Sequence, residues 1–246
     1  MFENKRAFVI TGGGRGLGRE LAQWAYREGF PVAIVSRTLA DLDETRNLAK
    51  KVNPKSSALI TCHVADLSDN GQVKETITKV IKDHGGISAL VNNAATWIGG
   101  NTVLDLKHDE MERSLQLNFF SAYNATNAIL EHWNSDHAPL SIVNVGATAS
   151  LRGSEKCAAF CVAKSALRSF SQSLAKELGP KGVHVSHLVI DGLIDNERTR
   201  KLNPGRPIER YITPESICRT ILYLVQQPTD CWTFEMDVRP YNESWT

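Results

Sequence analysis

Short apolar runs alternate with segments of helical periodicity along the whole of this sequence. The apolar runs predict strands at residues 6–10, 32–36, 58–63, 89–92, 141–145, 183–189 and 233–238. The periodic segments predict helices at residues 16–28, 39–52, 68–83, 108–134, 158–178 and 214–226, the last with Thr213 as N-cap and Pro214 at its first position. Several strands are apolar on nearly every residue, as expected where helices cover both faces of a sheet. The alternation therefore predicts an α/β fold with a doubly wound parallel sheet.

Length, charge and cysteine usage narrow the class of protein further. The 246 residues contain no linker-like run, so we predict a single domain over residues 1–246. A formal charge of +1, with both signs scattered, gives no electrostatic case for binding nucleic acid or an anionic membrane. The five cysteines form no C-x-x-C pair, no apolar stretch is long enough for a membrane span, and no metal-ligand spacing occurs. These features predict a soluble cytoplasmic protein without a metal.

A glycine-rich turn separates the first predicted strand from the first predicted helix. It occupies residues 11–18 and reads Thr-Gly-Gly-Gly-Arg-Gly-Leu-Gly. Glycines at this point allow a tight turn and the close approach of a pyrophosphate, and the helix N-terminus offers free N–H groups to that phosphate. The turn therefore predicts a dinucleotide site; a structural turn without a ligand is the alternative.

The end of the second predicted strand bears on which dinucleotide is bound. An acid usually stands there when the ligand is NAD(H), because it accepts a hydrogen bond from the ribose 2′-hydroxyl. This sequence has Ser36 and Arg37 instead, and Arg15 of the glycine loop is expected to reach the same corner. Two cations and no acid favour NADP(H). The alternative is that both arginines are solvated surface charges.

Residues 191–211 fit neither the strand nor the helix pattern. The segment contains Pro204, Gly205 and Pro207 and is long for a connection inside a compact domain. It follows the end of a predicted strand, where ligands bind in sheets of this kind. We therefore consider two interpretations, a mobile surface excursion and a lid over a ligand site.

At these motifs the chain resembles the short-chain dehydrogenase/reductase family. The loop 11–18 resembles its T-G-x-x-x-G-x-G motif, and residues 92–95 resemble its N-N-A-G motif with alanine in the last place. Leu117 and Asn118 resemble the family's structural and catalytic asparagine site, and Lys164 stands in the lysine place of Y-x-x-x-K. The resemblance extends over essentially the whole chain.

This resemblance implies a Rossmann-type domain that binds a dihydronicotinamide cofactor, acts on a small-molecule substrate, and forms a homodimer or homotetramer through helices 108–134 and 158–178. His63 and Val64 are expected to flank the adenine, although His63 departs from the usual acid or amide. Ile194 is expected to line the nicotinamide, and Asp191 replaces the proline usual near it. The expected cofactor-binding residues are Gly12, Gly14, Arg15, Gly16, Leu17, Gly18, Ser36, Arg37, His63, Val64, Asn93, Ala94, Lys164 and Ile194.

The resemblance fails at the residues that perform acid–base chemistry in the family. Phe160 stands in the tyrosine position and Ala147 in the serine position, whereas Asn118 and Lys164 match. A phenyl ring cannot exchange a proton, and a methyl group cannot donate a hydrogen bond to an oxyanion. General acid–base catalysis is worth about 10²–10⁴-fold and one oxyanion donor about 10²–10³-fold, so ordinary alcohol dehydrogenation is expected to be poor.

Several neighbours are candidates to replace the missing groups. The Thr148 hydroxyl is expected either to turn toward a substrate oxygen or to cap the strand end. Cys157 and Cys161 are expected mainly in core packing, because cysteine is among the most buried residue types. Asp191 and Asp195 border the proposed lid, where an exposed loop acid is the favoured interpretation and a pocket acid the alternative.

Three functions remain open on the sequence. The first is an NADPH-dependent oxidoreductase with an altered proton source, acting on a small hydrophobic carbonyl or conjugated C=C bond in a mainly apolar pocket. The pocket walls are expected to be Trp97, Phe160, Leu193 and Ile194, with simple loop packing as the alternative for Trp97. The second is a catalytically silent NADP(H) sensor. The third is an inactive subunit that supports an active relative.

Overall fold

The central feature of the fold is a parallel sheet whose strands match the apolar runs of the sequence. The computed structural model describes residues 6–134 and 139–244; residues 1–5, 135–138 and 245–246 of the predicted domain lie outside the described part. The strands are β1 (Ala7–Thr11), β2 (Val32–Ser36), β3 (Ile60–Val64), β4 (Ile87–Asn92), β5 (Leu140–Val145), β6 (Val183–Ile190), β7 (Leu193–Ile194), β8 (Tyr211–Ile212) and β9 (Glu235–Val238). Seven of them form one parallel sheet in the order β3-β2-β1-β4-β5-β6-β9.

The six predicted helices are present, one of them in two parts, and the short helix Glu197–Leu202 is an additional one that was not predicted. They are α1 (Gly16–Arg27), α2 (Leu39–Val52), α3 (Asn70–His84), α4 (His108–Leu115), α5 (Ser121–Leu130), α6 (Ala158–Leu178), α7 (Glu197–Leu202) and α8 (Pro214–Val225). The helix predicted over 108–134 is interrupted by a π-helical turn, Gln116–Phe120, and ends at Leu130. The predicted N-cap of α8 is confirmed, since the Thr213 hydroxyl accepts a hydrogen bond from the Ser216 N–H.

Two apolar layers cover the sheet, which explains why its strands lack polar alternation. Every residue of β1, β4, β5 and β6 is buried. On one face α1, α2 and α8 contribute residues such as Leu21, Leu42 and Ile217. On the other face α3, α5 and α6 contribute residues such as Ile77 and Ile129. This confirms the predicted α/β fold with a doubly wound, Rossmann-type sheet in a single domain.

The strand order indicates where on the sheet a ligand is expected to bind. The chain winds from β1 outward to β3 and then returns to β4 on the other side of β1, so the connections leave β1 and β4 in opposite directions. In open sheets of this type ligands bind at that switch point, beyond the carboxyl ends of the strands. Within the described residues, no helix combines the length and hydropathy that a membrane span requires.

The segment 191–211 contains regular structure that the sequence pattern did not predict. β7 and β8 pair in parallel, through Leu193 with Tyr211 and Ile194 with Ile212, and α7 lies between them. The helix is capped by Asn196, whose side chain accepts a hydrogen bond from the Thr199 N–H. The segment is therefore anchored at both ends by a two-stranded sheet.

Candidate functional site

A hydrogen-bonded junction fixes the glycine loop at the switch point. The Thr11 hydroxyl donates to the Val91 carbonyl and accepts from the N–H groups of Asn93 and Ala94, at 3.2, 3.0 and 3.1 Å. The Asn93 amide donates back to the Thr11 carbonyl at 3.0 Å. These bonds tie the end of β1 to the loop after β4, so that the two predicted motifs form one unit.

Four glycines of the loop, Gly12, Gly13, Gly14 and Gly18, stand where a side chain does not fit. A Cβ on Gly18 would lie 2.3 Å from the Gly12 carbonyl oxygen, and one on Gly14 would lie 2.9 Å from Ser36 Oγ. Gly12 has a φ of +68°, and its Cβ would lie 3.0 Å from the Ala94 Cα. The loop backbone is therefore open to a close-lying ligand, and α1 begins directly behind it with N–H groups that have no partner within the helix.

A groove runs from this loop along the sheet edge. Ser36 Oγ lines it and is a buried polar atom without a hydrogen-bond partner among the described residues. The Gly14 carbonyl is already hydrogen-bonded, because the Arg19 guanidinium donates to it at 2.7 and 3.0 Å. A groove with backbone amides and an unsatisfied hydroxyl fits a dinucleotide. It is lined by Gly12, Gly14, Arg15, residues 36–38, Asp41, residues 65–68, residues 94–96, Leu117 and Ser121.

The groove contains two acids that the sequence reasoning missed. Asp41 lies in the first turn of α2, and its carboxylate pairs with Arg15 at 2.7 Å. Asp66 lies beyond β3; hydrogen bonds from Ser68 lower the pKa of its carboxyl group, and Arg37 lowers it further. Both expected cations, Arg15 and Arg37, line the groove, but the expectation that no acid stands there is wrong. Arg37 itself is exposed and lines the groove.

Other predicted cofactor residues lie at different distances from the groove. His63 points away from it and hydrogen-bonds Thr61 Oγ1 at 2.8 Å, and burial lowers the pKa of its imidazole. The groove lining includes residues 65–68 but neither His63 nor Val64. Leu17 packs into the core beside α8, and Ile194 is half-buried against the same cluster. Gly16 has a φ of +52° and opens α1.

Lys164 and Asn118, the two residues that match the family's catalytic positions, are both buried. Lys164 lies on α6 and Asn118 in the π-helical turn. Lys164 is 3% exposed; its ammonium group donates to the Val145 carbonyl at 2.8 Å, and burial lowers its pKa to about 8. The Asn118 amide donates to the carbonyls of Thr96 and Ser114 and accepts from the Thr96 N–H. Both N–H bonds of Asn118 are used, so the side chain acts as a clamp on the loop after β4.

A second cavity, of about 300 Å³, adjoins the groove where residues 94–96 give way to Trp97. Ala147 and Phe160 both line it, and the Phe160 ring centroid lies 5.7 Å from the Lys164 ammonium. We call this cavity the substrate pocket. Its remaining lining residues are Thr148, Ala149, Ser154, Cys157, Ile190, Asp191, Gly192, Leu193, Arg206 and Glu243.

The pocket is more polar than predicted, and this corrects three expectations. Trp97, Phe160 and Leu193 line it as expected, whereas Ile194 does not, and three charged side chains share the lining. Asp191 is not an exposed loop acid, because it is 7% exposed and faces the pocket. Asp195 instead pairs with Arg200 at 2.5 Å and lies outside the lining.

Thr148 does not offer its proton to the pocket. Its hydroxyl donates to Asp191 Oδ1, and Asp191 Oδ2 pairs with Arg239 at 3.0 Å. Arg239 also pairs with Asp237, at 2.5 Å. Thr148, Asp191, Arg239 and Asp237 therefore form a chain that runs from the pocket wall to the end of β9; we call it the Asp191 chain.

Cys157, the N-cap residue of α6, and Cys161, within that helix, lie in different environments. Cys161 is 5% exposed, so its expected core position is confirmed. Cys157 is only half-buried and lines the pocket next to Trp97, contrary to the expectation of core packing. Burial, together with the neighbouring Cys161, raises the pKa of the Cys157 thiol.

Four charged residues of this region escaped the sequence reasoning. Arg206 and Glu243 line the pocket as an ion pair 2.5 Å apart, and Arg239 and Asp237 complete the Asp191 chain. They come from the segment after β7 and from the last residues of the chain, so no local motif connects them. Asp41 could have been found from the sequence, because it falls in the first turn of the helix predicted over residues 39–52, four residues after Arg37.

The fold and the groove define a protein of the doubly wound, dinucleotide-binding class. The family model for short chain dehydrogenases matches residues 6–207, so the chain belongs to that family and is an oxidoreductase of its type. The family match confirms the resemblance inferred from the motifs.

Relatives and solved structures agree with this assignment. The chain is 27% identical over 227 residues to a 3-oxoacyl acyl-carrier-protein reductase of Chlamydia muridarum, with 89% of each chain covered. It is similar in fold to the NADPH-bound form of a short chain oxidoreductase from Pseudomonas aeruginosa that contains an atypical catalytic center (TM-score 0.88, 24% identity, 100% of both chains). An alcohol dehydrogenase of Thermococcus sibiricus complexed with 5-hydroxy-NADP gives a TM-score of 0.86 at 21% identity, covering 98% of this chain and 99% of that one.

Proposed function

We propose that the protein is an NADP(H)-dependent oxidoreductase with a non-standard active site, which reduces a polarised double bond of a small substrate. The observation that carries the proposal is the junction of two cavities. A groove with a glycine-fitted backbone adjoins, at Thr96 and Trp97, an open pocket lined by Ala147 and Phe160. Bound there, a dihydronicotinamide supplies the hydride, and the residues of this chain bind and orient the reactants.

The preference for NADP(H) rests on the corner of the groove at the end of β2. Ser36 Oγ has no hydrogen-bond partner in the part of the chain that the structure describes, and Arg37, the next residue, is exposed. A guanidinium group suits a phosphate because its planar donors match the phosphate oxygens. Arg15 is shared with Asp41, so Arg37 is the principal 2′-phosphate ligand in this proposal.

Lys164 has the clearest role among the catalytic candidates. With a pKa of about 8 its ammonium group is mostly charged at neutral pH, and its present acceptor is one backbone carbonyl. We assign it to the cofactor ribose and to the electrostatic field at the nicotinamide. Asn118 positions the loop after β4 through its two bonds to Thr96.

The proton that completes the reduction comes from solvent in this proposal. Phe160 and Ala147 have no exchangeable proton, and Thr148 donates its own to Asp191. A conjugated C=C bond tolerates this, because the carbanion left by hydride attack takes a proton from water. The atypical catalytic center of the similar Pseudomonas protein supports the idea that the fold accommodates such sites.

Assembly forms a second part of the proposal. Phe119, Phe120 and Tyr123 cluster with Phe170 of α6, and Phe120 and Tyr123 are 37% and 38% exposed. An exposed aromatic cluster on these helices supports a homodimer or homotetramer through that face. Light scattering at micromolar concentration tests it: a monomeric mass contradicts this part without affecting the reductase.

The test of the reductase is NADPH consumption with a panel of enones, quinones, aldehydes and ketones. We expect at least one substrate to be reduced, at least tenfold more slowly by Lys164→Met. Lys176→Met is the matched control, because Lys176 is an exposed lysine on the same helix. Tight NADPH binding without consumption across the panel would instead favour the silent sensor, and an absence of NADPH binding would contradict both.

A restoring variant tests the account of the missing groups. Ala147→Ser with Phe160→Tyr returns the hydroxyl groups that the family resemblance calls for. If the folded, cofactor-bound double variant gains no carbonyl reduction, their absence is not the main barrier.

A further inference from the structure

The charged groups of the substrate pocket leave one carboxylate in excess. Asp191, Arg206 and Glu243 line the pocket, two acids and one base. Arg206 pairs with Glu243 at 2.5 Å and also donates to the Arg210 carbonyl at 3.0 Å. Asp191 is thus the charge that a substrate meets.

Asp191 lines the pocket, whereas its counter-ion Arg239 does not. Arg239 approaches Asp191 Oδ2 and is shared with Asp237. Two carboxylates and one guanidinium leave the Asp191 chain with one formal negative charge. The Thr148 hydroxyl on the other oxygen fixes the orientation of the carboxylate. A carboxylate held by one donor on each oxygen still has lone pairs that can accept from a ligand.

At positions 147 and 160, where carbonyl reduction in the family uses donors, the wall beside Asp191 offers none. Ala147 and Phe160 present carbon atoms, and the Thr148 proton is engaged. A negative charge that develops on a substrate oxygen here is repelled by Asp191, whereas a positive charge on a substrate nitrogen is attracted. The polarity of the site is opposite to that of an oxyanion hole.

We infer that the substrates are cations with a C=N bond, iminium ions, recognised by Asp191. The iminium carbon accepts a hydride with both its electrons, the π pair becomes the lone pair of a neutral amine, and the nicotinamide is left oxidised. No proton moves in this step, so the site requires neither the phenol nor the serine hydroxyl. The inference rests on the proposed reductase function and names its substrate class.

Asp191 is a binding residue in this scheme, and kinetics reveal such a role. The bound substrate carries the positive charge and the transition state retains much of it, so the carboxylate stabilises both to a similar extent. Loss of uniform binding raises KM with little change in kcat. We therefore expect Asp191→Asn to raise KM for a cationic substrate about tenfold and to leave KM for a neutral substrate of the same shape unchanged.

The experiment compares N-methyl-dihydroisoquinolinium with the neutral ketone tetralone, both with NADPH. We expect kcat/KM at least tenfold higher for the iminium ion in the wild type, and loss of this preference in Asp191→Asn. Asp237→Asn is the matched control, because it removes the other acid of Arg239 while the pocket carboxylate remains. Equal or better reduction of tetralone by the wild type overturns the inference but leaves the reductase standing.

A binding measurement tests the same point without turnover. Calorimetry on the wild type compares protonated N-methyl-tetrahydroisoquinoline with neutral isochroman. Preference for the cation by at least tenfold, lost in Asp191→Asn and kept in Asp237→Asn, supports the inference. Absence of the preference, or its persistence in Asp191→Asn, overturns it. If Asp191→Asn fails to fold, the wild-type preference between the two ligands decides.

Discussion

The cofactor groove and the substrate pocket of this protein are built in different ways. The groove is formed by backbone: glycines that cannot carry a Cβ, the start of α1, and the loop after β4 fixed by Thr11. The pocket is formed by side chains, from the ends of β5 and β6, the start of α6, and residues as late as Glu243. A site formed by backbone atoms keeps its shape when side chains are substituted and so favours a single ligand. In a pocket formed by side chains, one substitution is enough to change the charge.

The charge of the pocket shows what this difference allows. Two unit charges 4 Å apart interact by about 4 kcal/mol at an effective dielectric constant of about 20. One aspartate in such a wall is therefore enough to reverse which substrates are favoured. At the glycine loop the groove has no comparable freedom, because its shape there is fixed by the positions of backbone atoms. The predictions below test the two regions separately.

The largest effect is expected in the backbone cradle. Gly18→Ala places a Cβ 2.3 Å from the Gly12 carbonyl oxygen, so the loop must move. We expect NADPH affinity to fall at least 100-fold and the free energy of unfolding to fall by about 1–3 kcal/mol. Calorimetry and thermal unfolding measure both. Gly179→Ala is the control, because nothing lies within 4 Å of its Cβ; unchanged NADPH affinity in Gly18→Ala would refute the cradle.

Acid is expected to lower the free energy of unfolding through His187, which lies beside the pocket-lining turn. His187 is fully buried under the turn at Thr148 to Ser150 and hydrogen-bonds Ser150 Oγ at 3.0 Å. Burial lowers the pKa of His187 to about 4, so the unfolded chain binds the proton first as pH falls. The stability that the neutral imidazole provides is fully present above about pH 6.5, the ordinary pKa of histidine, and is lost as the pH falls toward 4.

The expected loss over that window is roughly 2–3 kcal/mol, from about 1.4 kcal/mol per pKa unit. Chemical unfolding at a series of pH values measures it. His187→Gln provides the comparison, because the other buried histidines remain and only the contribution of His187 disappears. Parallel curves for the wild type and His187→Gln would contradict the assignment.

A smaller effect is expected at the end of β2, where we propose that Arg37 binds the 2′-phosphate of NADP(H). Arg37→Ala removes the exposed guanidinium beside Ser36, and a hydrogen bond of this kind is worth about 1.4 kcal/mol, or roughly tenfold in affinity. NADPH binding should weaken by that factor while NADH binding stays the same. Dissociation constants for both cofactors measure this, with Arg46→Ala, further along α2, as the control. Equal losses for the two cofactors would argue against phosphate recognition.

The smallest effect is expected from releasing Arg15. Asp41→Asn removes the charge that holds Arg15, in a pair whose arginine side chain is 76% exposed. Exposed pairs contribute about 0–1 kcal/mol, so NADPH affinity should rise only two- to fivefold and stability should hardly change. Titration at low salt gives the best resolution, since screening weakens the effect. A decrease in affinity would show that Asp41 itself serves the cofactor.

The sequence predicted the fold closely because its signals are local. The helices at Leu39–Val52 and Ala158–Leu178 lie where the periodicity placed them, since one buried stripe is enough to define a helix. It missed the π-helical turn at Gln116–Phe120, because no side-chain pattern distinguishes it from an α-helix. It also missed β7, α7 and β8, since two-residue strands carry no periodicity.

The candidate site likewise has a part that local sequence predicts and a part that it does not. Glycine spacing after β1 is readable in sequence, because strand, turn and helix are consecutive and the backbone requirement falls on each residue in turn. The meeting of Thr148, Asp191 and Arg239 is not readable, because three strand ends converge only when the sheet forms. The amino-acid order thus determined the fold and its phosphate cradle, whereas tertiary packing decided that Asp191 faces inward and which charge the pocket presents. Local conformation depends on neighbours in the chain, and a charge's environment depends on neighbours in space.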